Sequence, residues 1–277
     1  MSDRAARTTR GDGSLVDGNS DPPPMQPANK ALSHALRVLD LFASATTPLG
    51  VTEISKKVGL DKSTVSRIIA TLGQHGYLDR SGDDRRYQVG PTAWQVGIRY
   101  RLGLLLAETS RVAMVDILRR FSATTGYAGV LHQHDVCYVA VVDGPEAQRV
   151  HLELGDRTPA PFIALGRAML AHLPPEELSD WLTQLNPTDL PPRFETRGAL
   201  LDELDRIRNQ GYAVNEGDLD PEIGAIAAPV FAGNGTLIGG IAIDFMLRNA
   251  TPTLYRELAP AVTTTAVQIQ RILGALT

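Results

Sequence analysis

Among its 277 residues the chain has a single cysteine, Cys137, which excludes an internal disulfide framework and an all-cysteine metal cage. That scarcity fits a reducing compartment, and the cytoplasm is the expected location. Long hydrophobic runs are also missing. The longest, such as residues 102–107, fall far short of the roughly 18 to 20 apolar residues a bilayer span needs. Met1, Ser2, Asp3 and Arg4 do not begin a signal peptide, so neither export nor a membrane partner is expected. There is no internal repeat and no serine elbow, and Gly233-Asn234-Gly235 is not followed by the Lys-Ser/Thr of a phosphate loop. Positive charge is lacking overall. The net charge is −4 and the pI is about 5.9, which for the whole chain counts against a polyanionic partner.

The distribution of charge reverses that inference. Residues 30–90 hold nine Lys and Arg against six acids, residues 1–29 carry a net −1, and residues 91–277 carry −6. All the lysines lie between Lys30 and Lys62, so basic character is gathered near one end. Residues 1–29, with Pro22, Pro23 and Pro24 in a row and almost no large apolar side chains, read as a disordered tail.

Within the basic stretch, Leu32, Ala35, Leu36, Leu39 and Phe42 recur at helical spacing. A turn is expected at Thr47, Pro48, Leu49 and Gly50, then a short helix over 53–58 capped by Thr52 and ended by Gly59. Asp61 is placed to cap a further helix over 62–74. Residues 77–80 and 85–89 flank a polar turn and read as a two-stranded hairpin. Three helices followed by a hairpin form a winged helix-turn-helix. Pro91 opens a helix expected to run to about Arg101, and another is expected over 104–123. Beyond it, strand-like runs at 128–132, 136–142, 150–154, 212–215, 224–231 and 237–245 alternate with helical stretches at 165–173, 175–184, 197–210 and 253–273. Asn234-Gly235 is the strongest hairpin signal. The fold class expected is α+β, a winged helix-turn-helix joined by a linker helix to a domain with an antiparallel sheet. The divisions are 1–29 for the tail, 30–90, a linker over 91–104, and 105–277.

At 100° per residue, the 62–74 helix puts Val65, Ile68, Ile69 and Leu72 on one side and Ser63, Arg67 and Ala70 on the other, with Thr64, Ser66 and Thr71 at the edges. The second face is short, polar and uncluttered enough to enter a major groove about 12 Å wide. Arg67 is the candidate for a bidentate guanine contact, rather than a surface salt-bridge residue. Ser63, Thr64, Ser66 and Thr71 suit base edges or phosphate oxygens, and Lys62 lies near the helix N-terminus where phosphates bind. Arg80, Arg85 and Arg86 sit on or beside the wing, where they could clamp phosphates.

The run of residues 59–72, then Gly76-Tyr77-Leu78 and Arg86-Tyr87-Gln88-Val89-Gly90, resembles the winged helix-turn-helix of the IclR family of bacterial transcriptional regulators. Residues 155–159, 164–171, Gly211-Tyr212-Ala213 and 226–230 resemble that family's effector-domain motifs, in the same order. The resemblance covers about residues 31–275. It implies a GAF-like effector domain, a homodimer or homotetramer, a pseudo-palindromic double-stranded DNA operator and a small-molecule effector, often a carboxylate or a hydroxylated or aromatic catabolite. It also implies a pocket at Ala164, Leu165, Gly166, Asn215, Ile223, Ala225, Ala242 and Asp244. Backbone N–H groups near residues 164–166 could hold an anion, and Asn215 can both donate and accept. Ala242 and Asp244 alternate to the same side of one strand. Family members that bind small keto acids often carry two hydroxyl residues at these two positions. An acid there favours a ligand bearing a hydroxyl, amine or ring N–H, unless Asp244 merely bonds nearby backbone.

Enzyme chemistry finds little support. Cys137 with His132 or His134 could form a nucleophile pair, but Cys137 sits in an apolar run and reads as core. His132 and His134 lack a third metal ligand at diagnostic spacing, and no cofactor is expected. The expected function is a ligand-responsive repressor of a catabolic or transport operon. An activator is the alternative within the family, and a metabolite-binding or hydrolytic enzyme with an incidental helix-turn-helix is the alternative from another class.

Overall fold

The computed structural model describes residues 29–43, 45–82, 85–145, 147, 152–185 and 190–276. The tail assigned to 1–29 lies outside them except for Asn29, as does the first part of the strand expected at 150–154; residues 152–154 are not strand.

Helix α1 (Lys30–Asp40) starts where the Asn29 side chain accepts from the Leu32 N–H. Only part of its expected apolar face is buried. Val38 and Phe42 are in the core, while Leu32 and Leu36 stand in solvent. Strand β1 (Leu49–Gly50) leads directly into α2 (Val51–Val58), which corrects the expected turn and cap. Leu49 and Gly50 pair with the wing, so the chain enters the helix from a strand, and Thr52 lies in the first turn without capping it. Gly59, at φ 67°, ends α2 in the left-handed region, where glycine has no Cβ to clash. Asp61 then caps α3 (Lys62–Gln74) by accepting from the Thr64 N–H at 2.9 Å. Strands β2 (Leu78–Ser81) and β3 (Arg86–Val89) form the wing, with β1 as a third strand on the far side of β3. Val38, Ile54, Val65, Ile69 and Leu78 meet in one core beneath it.

Helix α4 (Pro91–Gly97) is shorter than expected, and α5 (Arg101–Arg120) begins earlier. The break at residues 98–100 lets the Tyr100 ring lie against Gly103, where a Cβ would come within 2.3 Å of it. Strands β4 (Thr125–His132), β5 (Asp135–Asp143), β6 (Arg157–Pro159), β7 (Ala213–Glu216), β8 (Ile223–Phe231) and β9 (Leu237–Met246) make a six-stranded antiparallel sheet of order β6-β5-β4-β9-β8-β7. The short edge strand β6 carries no alternating apolar pattern, and the sequence reading missed it. The β8–β9 turn falls at Asn234-Gly235 as expected, with Gly235 at φ 83°.

Helices α5 and α9 (Pro252–Leu276) cover one face of this sheet, and α6 (Ala164–Leu170), α7 (Pro175–Gln184) and α8 (Arg197–Gln210) cover the other. The period-two alternation of the strands divides the residues unequally. Ile226, Ala228, Ile241, Ile243 and Phe245 fill the α5/α9 side. The α6 side receives Ala225, Ala227, Ala242 and Asp244, with Tyr127 and Tyr138 from β4 and β5. Small side chains beneath a helix leave unfilled space.

Candidate nucleic-acid interface and ligand cavity

On α3, Val65 and Ile69 are buried and Ile68 and Leu72 partly so, which leaves Lys62, Ser63, Ser66, Arg67 and Thr71 exposed as the periodicity predicts; Thr64 is half-buried. The hydroxyl protons at either end of this face are engaged. Ser63 donates to the Asp61 carboxylate at 2.6 Å, and Thr71 donates to the Arg67 carbonyl at 3.0 Å. The Ser63 hydroxyl and the Thr64 side chain and N–H hold the Asp61 carboxyl well below the usual carboxylate range. Among the described residues Arg67 makes only a long 3.4 Å contact, to Thr64 Oγ1, so its guanidinium is available to a partner.

A groove of about 630 Å³ brings Lys62, Ser66, Arg85 and Arg86 together with Glu53 and Lys56 of α2. Arg86 donates to the Pro48 carbonyl and lies 3.6 Å from Glu53, so it also braces the wing against the start of α2. Arg80 is exposed on β2 and is not part of the groove lining. Lys56 was missed in sequence because its helix carries no base-reading face; its signal is a basic residue in the last turn of α2. The arrangement provides cations from two helices and the wing around an uncluttered helix, which suits a charged, grooved polymer.

The space on the α6 side of the large sheet is a cavity of about 70 Å³. Of the residues expected there, Ala164, Leu165, Asn215, Ile223, Ala225, Ala242 and Asp244 line it together. Gly166 does not. It faces the turn at Ala160–Phe162, where a Cβ would fall 2.1 Å from the Ala160 carbonyl oxygen, so its lack of a side chain serves close backbone packing. Tyr127, Tyr138, Leu219 and Asp220 complete much of the wall and were missed. For the tyrosines the legible signal was a large aromatic residue on the same strand face as small ones.

Among the described residues, no Lys, Arg or His lines the cavity. Asp244 is 8% exposed, and burial pushes its carboxyl up to about 7, with the Tyr127 hydroxyl offsetting part of the effect. Burial pushes the Tyr127 and Tyr138 hydroxyls upward too. Tyr138 donates to Thr158 Oγ1 at 3.2 Å, whereas the Tyr127 hydroxyl is buried without a hydrogen bond of normal length among the described residues. Outside the lining, Arg167 of α6 is fully buried. It donates to Asp218 at 2.7 Å, the Pro161 carbonyl at 2.7 Å, the Val214 carbonyl at 2.8 Å and Asn215 Oδ1 at 3.2 Å. Burial lowers its pKa to about 10 against the opposing pull of Asp218, so it stays charged.

The candidate enzyme residues are dispersed. His132 is exposed, and His134 packs on Trp181 with ring centres 5.0 Å apart. Cys137 is half-buried, with burial raising its thiol pKa. Among the described residues no helix is long and apolar enough to cross a membrane.

Residues 103–271 match the family model for the bacterial transcriptional regulator IclR C-terminal domain, and residues 31–82 match that for the IclR helix-turn-helix domain. The HTH-type transcriptional regulator XynR of Escherichia coli is 26% identical, over 90% of this chain and 98% of that protein. The glycerol operon regulatory protein of Streptomyces coelicolor is 30% identical, over 89% of this chain and 97% of that protein. A similar fold is seen in the crystal structure of an IclR homolog complexed with 4-hydroxybenzoate from Microbacterium hydrocarbonoxydans. It has a TM-score of 0.76 and 24% identity, and covers 88% of this chain and 99% of that one. These relatives are transcriptional regulators rather than enzymes, which removes the alternative of an enzyme with an incidental helix-turn-helix.

Proposed function

We propose, from the premise that this chain belongs to the IclR family of bacterial transcriptional regulators and is a DNA-binding regulator, that it acts as a ligand-released repressor of a catabolic or transport operon. The observation that carries this reading is the exposed polar face of α3, with Arg67 at its centre and the basic groove of Lys56, Lys62, Arg85 and Arg86 beside it. Residues 30–90 form the DNA-binding unit, 91–104 the linker, and 105–277 the GAF-like effector unit; separate apolar cores support the division. A homodimer places two recognition helices on the half-sites of a pseudo-palindromic operator. Exposed apolar side chains support such pairing: Leu32 and Leu36 on α1, and Trp94, 66% exposed, with Val96 on α4.

The effector site is the cavity beside α6. Its volume of about 70 Å³ is well below the few hundred Å³ typical of sites for larger ligands, so in this state it is contracted. A small ligand enters as it stands, and a ring-sized one, such as the 4-hydroxybenzoate of the related structure, requires Leu219 at its edge to move outward. Ligand binding alters repression only if the cavity's open and contracted states differ in operator affinity. A gel shift with the DNA flanking the protein's own gene tests the reading. A salt-sensitive specific complex is expected, which dissociates on addition of one of a panel of small carboxylic and hydroxyaromatic acids. Equal affinity for that DNA and for random DNA would refute it.

A further inference from the structure

Arg167 touches none of the space in which a ligand would sit, yet it is among the most completely buried charges of the chain and bonds directly to a residue of the cavity wall. Its two terminal nitrogens have four hydrogens, and four acceptors take them: the carbonyls of Pro161 and Val214, the Asp218 carboxylate and Asn215 Oδ1. The guanidinium is therefore locked from several directions. Arginine is a donor only, so the atom of Asn215 that faces it must be the oxygen; a turned carboxamide would oppose donor to donor. The Asn215 NH2 is left without a protein hydrogen bond among the described residues, on a side chain that lines the cavity.

We propose that Arg167 is a positioning residue that sets the hydrogen-bonding polarity of the cavity. By holding the Asn215 oxygen it turns the Asn215 NH2 inward, and so selects effectors that present an acceptor to that wall, a carboxylate oxygen above all. The inference rests on reading this cavity as the effector site. It also gives a lining whose described residues include no basic side chain a means of receiving an anionic group. The Arg167 guanidinium is held one residue behind the wall, where it polarises the amide without giving up its own partners. Asp218 Oδ2 accepts from both Arg167 at 2.7 Å and the more exposed Arg193 at 3.2 Å. Asp218 precedes Leu219 and Asp220 of the cavity lining, so the same guanidinium also ties down that part of the wall.

Acetate, acetamide and acetamidinium have nearly the same shape and offer acceptors only, both kinds of group, and donors only. In full-length 15N-labelled protein, the side-chain NH2 signals of Asn215 are assigned by their loss in Asn215→Leu and followed during titration with each probe. Acetate is expected to shift them with an affinity at least about tenfold above that of acetamide, the worth of one hydrogen bond to a charged group, and acetamidinium to leave them unmoved. Arg167→Lys keeps a donor-only neighbour and should keep this order. Removing Arg167 alone would leave the buried Asp218 with Arg193 as its one charged partner among the described residues, so the contrasting variant is the double change Arg167→Gln with Asp218→Asn, which removes both members of the buried pair. It should bring acetate and acetamide within about threefold of each other. If acetamidinium matches acetate in the wild type, or the double variant keeps the full order, the role of Arg167 is overturned while the cavity remains a ligand site. If Asn215 is silent to all three probes, the proposal and the effector assignment beneath it both fall.

Discussion

Two aspartates mark the contrast between the halves of this molecule. Asp61, in the helix-turn-helix, is exposed, and hydrogen bonds from Ser63 and Thr64 keep its carboxyl ionised far into acid. Asp244, inside the large sheet's cavity, is buried, and burial outweighs the Tyr127 hydroxyl and pushes it up to about 7. The first half builds its function on the outside, from side chains a few residues apart on one helix. In the proposed reading the second builds it inside, from strands and helices more than a hundred residues apart in the chain. A surface that meets a polyanion needs charges kept solvated and available, whereas a cavity that meets a small molecule gains selectivity from groups that have lost their water.

The comparison can be broken most severely at Arg67. If α3 reads bases, Arg67→Ala should cost about 1 to 3 kcal/mol in each half-site, so a dimer loses at least about thirtyfold, and up to roughly ten-thousandfold, in operator affinity, measured by gel shift. Lys56→Gln should instead weaken all DNA alike and flatten the salt dependence. Equal affinity of Arg67→Ala and wild type would show that the exposed face of α3 is not the reading surface.

Asp244 sharpens the interior side. Between the ordinary carboxylate value and about 7, the folded chain keeps a proton that the unfolded chain has released, so stability falls as pH rises through this window. Above it the penalty reaches roughly 4 kcal/mol. Asp244→Asn should therefore raise the melting temperature at pH 8 and have little effect at pH 4; a variant no more stable at pH 8 would show that the acid is compensated.

The smallest effect belongs to Asp61. Its stabilising hydrogen bonds are present above the unfolded carboxylate value and are lost only as pH falls through its low folded value. Asp61→Ala should lower the melting temperature by about a few degrees at pH 7, by uncapping α3, with little change of slope between pH 5 and 8. A slope change in that range would tie Asp61 to another titrating group.

The same contrast governs how much could be read from sequence. The bounds of α3, α7 and α8 follow from periodicity and caps, because a helix records its burial within a few residues. Most of the cavity wall was legible too, although only through resemblance, since nothing local says that Asn215 and Ala164 meet. Strands β1 and β6 were not legible: two or three residues with no alternation acquire strand geometry only from the partner across the ladder. The Arg167 cluster was equally hidden, because its ion pair joins residues 51 positions apart, and a lone arginine in a helix reads as surface until its depth is known. Gly166 is the opposite case, a position expected at the pocket whose missing side chain lets two backbone segments touch.

The alanines on the α6 side of β8 and β9 have a consequence for descent. The cavity exists because Ala225 and Ala242 stop short, while the opposite strand face holds the isoleucines that keep the sheet packed. Shape for a new ligand can thus be altered one methyl group at a time on the hollow side, with the packing on the other face untouched. If this cavity is the effector site, a regulator built this way can drift between metabolites through single substitutions while the exposed face of α3 stays the same.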